Sequence, residues 1–258
     1  MKTVIIGGVA AGTKVAAKLK RERPEDEVVI YTKSKDISYA GCGLPYYIGG
    51  AIAAEEELIV NTPQKYMGLT GAVVHTGCEA TKVDPAAKTV LVNGEALCYD
   101  RLVIATGAAP VVPQIPGTGL PGVFTVRTPE DAIAARSFAE ANHCRRAVVA
   151  GGGFIGLEVA ENLTAKGLSV TVVDMAEQLM PNIFDPDMAD YLRRRLLENG
   201  LRILTKSALQ EIGGEDRVSS VQTSAGKIPC DLVILAIGIR PATAFLEGTG
   251  LAMEKGLI

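Results

Sequence analysis

Tryptophan is absent from the 258 residues, phenylalanine occurs five times and histidine twice. A core cannot be built around large aromatics here. With 48% hydrophobic residues it falls to Val, Ile, Leu and Ala, the composition of buried parallel strands flanked by helices. His75 and His143 stand apart from any acid or nucleophile, so neither suggests a catalytic base, and no Cys/His group has metal-ligand spacing. The cysteines Cys42, Cys78, Cys98, Cys144 and Cys230 are odd in number, scattered and without a CxxC pair. That excludes a disulfide framework and predicts free thiols in a reducing cytoplasm. No apolar run is long enough to span a membrane, and strand-like Val4-Ile5-Ile6 follows Met1-Lys2-Thr3 directly, which predicts no signal peptide. A net charge of −3 argues against a chain that holds nucleic acid or an acidic membrane surface over a wide area.

What is present is one plan used twice. The length suits two domains of about 100 to 150 residues each. Near the start, Val4-Ile5-Ile6 runs through a turn containing Gly7, Gly8 and Gly12 into a helical stretch over 14–23. Later Ala147-Val148-Val149-Ala150 runs through Gly151, Gly153 and Gly156 into a helix that Gly167 stops before the strand 169–174. A second pair of segments repeats as well: Asp100-Arg101-Leu102-Val103-Ile104-Ala105-Thr106-Gly107 is echoed by Asp231-Leu232-Val233-Ile234-Leu235-Ala236-Ile237-Gly238. Both are continuous apolar runs, expected to be buried parallel strands whose carboxyl ends meet a ligand. These repeats predict an α/β fold of two tandem Rossmann-like domains, with the Pro/Gly-rich stretch 108–121 as the crossing.

In such a fold the first glycine permits the tight turn, the second lets backbone N–H groups approach a pyrophosphate, and the third lets helix and strand pack closely. Gly151, Gly153 and Gly156 fill all three places, and Asp174 ends the next strand at about the expected interval of 20 residues. A carboxylate there accepts from both hydroxyls of an adenosine ribose and repels a 2′-phosphate. Met175 and Ala176 supply no compensating cation, so the second domain is expected to prefer NADH to NADPH. The first turn is less regular: Val9 holds the second glycine place and the following strand ends at Thr32 rather than at an acid.

The segment ISYAGCGLPYYIGG (37–50) resembles the active-site segment of the pyridine nucleotide-disulfide oxidoreductases, in the single-cysteine branch of coenzyme A disulfide reductases and NADH oxidases. The resemblance continues through Asn61-Thr62-Pro63, Ala105-Thr106-Gly107, Val126-Arg127-Thr128, the triple glycine and Ala236-Ile237-Gly238-Ile239-Arg240-Pro241. It implies an FAD-binding domain (1–111), an NAD(H)-binding domain inserted into it (112–240) and a return to the FAD domain (241–258). By resemblance Gly7, Gly8, Gly12, Thr32, Thr106, Gly107 and Arg127 line FAD, and Ile155, Glu158, Asp174 and Gly238 line NADH. Three residues depart from the family pattern: Thr32 at the ribose acid, Phe154 at a tyrosine that often covers the flavin, and Gly41 at a frequent asparagine. The last residues resemble the entry to a further strand. The resemblance implies that a second FAD segment and a dimerisation domain follow, and that the full-length protein is a homodimer.

Cys42 is the expected redox residue. Dithiol relatives carry CxxxxC, and the partner position here is Tyr47, so the oxidised state is expected to be a sulfenic acid or a mixed disulfide with an outside thiol. Pro45 suits a first helical turn and Gly49-Gly50 a helix end. This places Cys42 at or just before a helix N-terminus, whose dipole favours a thiolate. Lys14, Lys18 and Arg21 line one face of the first helix, and the resemblance places the nucleotide end of coenzyme A near them, with Ser38 as a further substrate-facing residue. The implied activity is FAD-dependent: hydride passes from NADH to flavin and on to a disulfide, polysulfide, peroxide or oxygen. Two other readings stay open. One is a flavin reductase for a protein electron carrier, and the other is a nucleotide-binding module without catalysis.

Overall fold

The computed structural model describes residues 1–254. The chain divides into two compact units. The first comprises Met1–Ala40, Glu56–Ala109 and the residues from Arg240 onward, and the second comprises Gly41–Glu55 and Pro110–Ile239.

In the first unit β1 (Lys2–Ile6), β2 (Glu27–Tyr31), β3 (Val73–His75) and β7 (Arg101–Ile104) form a parallel sheet in the order β3-β2-β1-β7. Alternation along β1 explains why its run is apolar throughout. Ile5 points to one face, where it packs with Ala16 of helix α1 (Ala10–Glu22) and Tyr66 of α3 (Pro63–Thr70). Val4 and Ile6 point to the other, against Val83, Val90 and Val92 of the antiparallel meander β4 (Ala80–Asp84), β5 (Thr89–Val92), β6 (Glu95–Cys98). Leu246 joins that second cluster, so the chain beyond Arg240 packs on the first unit. The short strands β8 (Ala108–Pro110) and β17 (Ile239–Pro241) lie where the chain leaves the first unit and returns. The final segment expected, 241–258, is described as far as Glu254; residues 255–258 lie outside the described residues.

The second unit repeats the plan. Its parallel sheet has the order β12-β11-β10-β16-β9, built from β9 (Val123–Phe124), β10 (Arg146–Ala150), β11 (Ser169–Val173), β12 (Arg202–Leu204) and β16 (Leu232–Leu235). Val148, Ala150, Val233 and Leu235 face the meander β13 (Leu209–Gly214), β14 (Val218–Thr223), β15 (Gly226–Pro229). On the central strands α5 (Phe154–Ala165) packs against β10 and β11. Two further long helices are α4 (Pro129–Ala141), fixed by a capping box between Thr128 and Asp131, and α6 (Pro186–Glu198), capped by Asp185. The short α2 (Leu44–Gly49) also belongs to this unit, packing on α4 and α5.

The two echoed apolar runs differ in burial. β16 is buried throughout, each residue such as Ile234 gaining roughly 1.5–3 kcal/mol from leaving water. Leu102, Val103 and Ile104 of β7 are only half-buried, against the expectation of a fully covered strand. The reason is position. β16 lies between β10 and β9, whereas β7 is the edge strand of its sheet.

Candidate active site

The repeat seen in the sequence holds down to single hydrogen bonds. Gly7 N–H donates to Tyr31 O and Gly151 N–H to Val173 O, both at 2.8 Å. Thr32 N–H donates to His75 O (3.0 Å) and Asp174 N–H to Leu204 O (2.9 Å). Even the residue that closes each turn matches. Ser38 (φ 49°) donates its N–H to Gly8 O, and Met180 (φ 52°) donates to Gly152 O.

The first glycines are required by conformation, with φ of 113° at Gly7 and 111° at Gly151. The third are required by approach: a Cβ on Gly12 would lie 1.8 Å from Gly7 O, and one on Gly156 2.0 Å from Gly151 O. Gly153, the middle glycine, is different. It has an ordinary φ of −88°, and no heavy atom lies within 4 Å of where its Cβ would be. The space over the start of α5 is therefore open.

Helix caps separate these two turns from the longer helices α3, α4 and α6, although the six-residue α2, whose cap position is Gly43, also has no side-chain cap. The starts of α3, α4 and α6 are closed by the side chains of Thr62, Thr128 and Asp185. At α1 and α5, where Val9 and Gly153 occupy the cap position, no side chain accepts from the first turn. Helix starts left without a cap leave N–H donors and the positive end of the dipole for an anionic ligand.

What ends the second strand differs between the copies. Asp174 Oδ2 accepts from Gly152 N–H (2.6 Å) and Oδ1 from Ala176 N–H (2.7 Å). Both oxygens are held in place, and each keeps a further lone pair for a ribose hydroxyl. Thr32 is buried, and its methyl and Cβ lie 3.1 and 3.2 Å from where a Cβ on Gly8 would be. It fills the equivalent place with hydrocarbon and offers no carboxylate.

The remaining expected residues fall into separate groups. Thr106 and Gly107 follow β7 beside Gly7, so the first unit collects Gly7, Gly8, Gly12, Thr32, Ser38, Thr106 and Gly107 around one turn. The Ser38 hydroxyl accepts from Asn61 Nδ2 at 3.3 Å. Lys14, Lys18 and Arg21 are exposed on α1, with Lys18 paired to Glu22 at 3.6 Å. In the second unit Phe154 and Ile155 are exposed on the first turn of α5, Glu158 is half-buried one turn on, and Gly238 (φ 133°) follows β16. Arg127 lies just before α4, its N–H donating to Asp131 Oδ2 at 2.8 Å.

Cys42 is exposed within the single turn Gly41–Gly43 that leads into α2. Position 47, where a dithiol partner would stand, holds buried Tyr47. Among the other cysteines Cys98 is exposed and Cys78 half-buried. Burial raises the Cys144 thiol and pushes Cys230 up to about 12, which leaves both protonated and inert. Exposure alone thus separates Cys42 from Cys144 and Cys230 but not from Cys98.

A family model described as pyridine nucleotide-disulphide oxidoreductase matches residues 1–258. The chain belongs to that family. It is 37% identical over 262 residues to an NADH oxidase of Methanocaldococcus jannaschii, an alignment that takes in 99% of this chain and 58% of the relative. Among solved structures it matches a NAD-dependent persulfide reductase from A. fulgidus at 35% identity and a TM-score of 0.95, over 99% of this chain and 49% of the other. It also matches an engineered NADPH oxidase bound to NADPH, a variant of the water-forming NADH oxidase of Lactobacillus brevis, at 29% identity and a TM-score of 0.91 (99% and 58%). In that variant, among five substitutions, an aspartate became alanine and the next residue arginine. The chain thus spans about half to three-fifths of the length of these oxidoreductases.

Sequence reasoning missed one group of residues in this family member. Arg136, Glu140 and Lys166 surround α2, with Arg136 stacked 4.6 Å from the Tyr47 ring. They lie about 90 to 120 residues from α2 along the chain and form no motif, so only the fold brings them together.

Proposed function

We propose that this chain carries the nucleotide-binding part of an NADH-dependent flavoprotein, with FAD on the first unit and NADH on the second. The observation that supports it best is the pair of α1 and α5 starts without side-chain caps, each above a turn shaped by glycines. Gly7, Gly8, Gly12, Thr106 and Gly107 would hold FAD; Arg127, which the family resemblance also assigns to FAD, belongs to the second unit. Gly151, Gly153, Ile155, Gly156, Glu158, Asp174 and Gly238 would hold NADH. The bound cofactors supply hydride transfer from NADH to flavin. The chain's own residues bind the two pyrophosphates at the helix starts, and Asp174 accepts from the ribose hydroxyls and rejects a 2′-phosphate. Cys42 offers an exposed sulfur, as a mixed disulfide or sulfenic acid, to be reduced by two electrons and then to attack the next substrate. The acceptor class is a disulfide, polysulfide, peroxide or oxygen, in keeping with the persulfide reductase and NADH oxidase relatives. Lys14, Lys18, Arg21 and Ser38 are assigned to an anionic substrate such as coenzyme A. Among the described residues no helix is long and apolar enough to cross a membrane and no group of side chains could hold a metal. A cytoplasmic homodimer in the full-length form completes the proposal.

The test is a flavin absorbance spectrum of the chain loaded with FAD, followed by NADH under anaerobic conditions. Bleaching on NADH addition supports the proposal. A chain that binds neither nucleotide at micromolar concentration refutes it.

A further inference from the structure

The end of α2 is held in an unusual way. Arg136, on α4, sends Nη1 to the carbonyl oxygens of Tyr47 (3.3 Å), Ile52 (3.1 Å) and Ala53 (3.1 Å). Its guanidinium also lies over the Tyr47 ring, 4.6 Å from the centroid. Lys166, at the end of α5, reaches Ile48 O at 3.4 Å. Both cations share one counter-ion: Glu140 Oε1 lies 3.0 Å from Arg136 Nε and 2.7 Å from Lys166 Nζ. The two hydrogen bonds hold the Glu140 carboxyl below the usual carboxylate range. Steric fit adds to this. Gly49 lies so close to α5 that a Cβ there would sit 2.6 Å from Asn162 Cβ.

The contacts to Tyr47, Ile48 and Gly49 fall on the carboxyl half of a six-residue helix, too short to be stable by itself, and those to Ile52 and Ala53 fall on the chain just after it. Tyr47 O also accepts from Gly50 N–H at 3.1 Å, so Arg136 adds to a backbone bond there, and both cations stand at the negative end of the helix dipole. A planar fork that also stacks on an aromatic is a task for arginine rather than lysine.

We propose that Arg136, supported by Glu140 and Lys166, is a positioning residue for Cys42: it pins the helix that begins two residues after the thiol and so fixes the thiol-bearing turn on the second unit. This rests on the proposed role of Cys42. The positioning residues touch no reacting atom, and act through the register of α2.

The experiment uses the 258-residue chain with Arg136→Met, Arg136→Lys and Lys166→Met. Amide hydrogen exchange is followed at 44–53 and in β10, β11 and β16, with a nitroxide label on Cys42 or, as a control, on Cys98. In Arg136→Met, exchange at 44–53 is expected to rise about tenfold or more while the sheet strands stay unchanged. The label on Cys42 is expected to tumble about threefold faster, with the label on Cys98 unaffected. Arg136→Lys keeps the charge but not the fork, and should recover only part of the protection; Lys166→Met should give a smaller change of the same kind.

Unchanged exchange at 44–53, or a rise shared equally by the sheet, overturns the proposal, as does a loosened α2 with an unaltered Cys42 label. Full recovery by lysine overturns the role given to the fork. If Arg136→Met does not fold, the other two variants carry the same test. Cys42→Ser in the full-length form separates the two readings. Undiminished disulfide turnover there would remove Cys42 from catalysis while leaving the anchoring of α2 intact.

Discussion

Gly153 offers a substitution whose effects on folding and on binding should run in opposite directions. Its φ of −88° and ψ of −176° are open to alanine, and nothing lies within 4 Å of the added methyl. Folding should therefore be unharmed, or improved by about 0.4–1 kcal/mol through a less flexible unfolded chain. Binding is another matter. If a pyrophosphate sits on the bare N–H groups of α5, the methyl stands between them. Losing one charge-assisted hydrogen bond costs about 1.5–3 kcal/mol, a drop in NADH affinity of roughly 10- to 150-fold. Thermal unfolding and calorimetric titration of Gly153→Ala with NADH measure both quantities on one sample. An unchanged NADH affinity would show that the nucleotide does not approach this turn. A markedly lower Tm would show that the open space is not open. Gly156→Ala is the control, since its methyl must displace the helix from Gly151 O and should cost about 1–3 kcal/mol of stability.

Further outcomes follow from the same geometry. Asp174→Ala combined with Met175→Arg should turn preference from NADH toward NADPH, because the repelling carboxylate is gone and a cation is added; tighter NADPH binding by the unaltered chain would refute the role of Asp174. Under limiting alkylation of the folded chain, mass spectrometry should find Cys42 and Cys98 modified first and Cys230 last, and early labelling of Cys230 would contradict its burial and its thiol at about 12. The Arg146 guanidinium, 2.7 Å from Asp231 Oδ1, holds that carboxyl below the usual range. A carboxylate depressed in the folded state adds stability above its unfolded pKa of about 4, and this is lost as pH falls from there through the folded value. Asp231→Asn should therefore lose stability at pH 6 and converge with the parent near pH 2, and a constant difference across that range would remove the linkage.

The two-domain plan was legible because it rests on local patterns: an apolar run, a glycine turn and a helix, repeated with the same spacing. Asp174 could be found in the same way, by counting from the turn. The half-buried state of β7 could not, since its apolar run matches that of β16 and only sheet order distinguishes an edge from a centre. The grouping of Gly41–Glu55 with the second unit was hidden for a related reason. Sequence order places that segment inside the first domain. What binds it elsewhere is the fork of Arg136 and the close fit of Gly49 to Asn162, contacts with no sequence pattern.

The two turns are built alike in hydrogen bonds and in steric demand, yet they end in different side chains, and that difference assigns their chemistry. Under the proposed function, a carboxylate held by Gly152 and Ala176 would read a ribose through its two hydroxyls. Thr32 instead closes the first turn with packing, so whatever nucleotide lies there must be selected by contacts away from the strand end. Replacing Thr32 with glutamate would test this division directly. If the first turn selects by other contacts, the new carboxylate should leave FAD affinity within about threefold, a difference well under 1 kcal/mol. It should also cost stability, because the site is buried and the acid would have to displace the methyl from beneath Gly8. A large gain in FAD affinity would show that the first turn has kept the ribose geometry of the second and lacks only the acid.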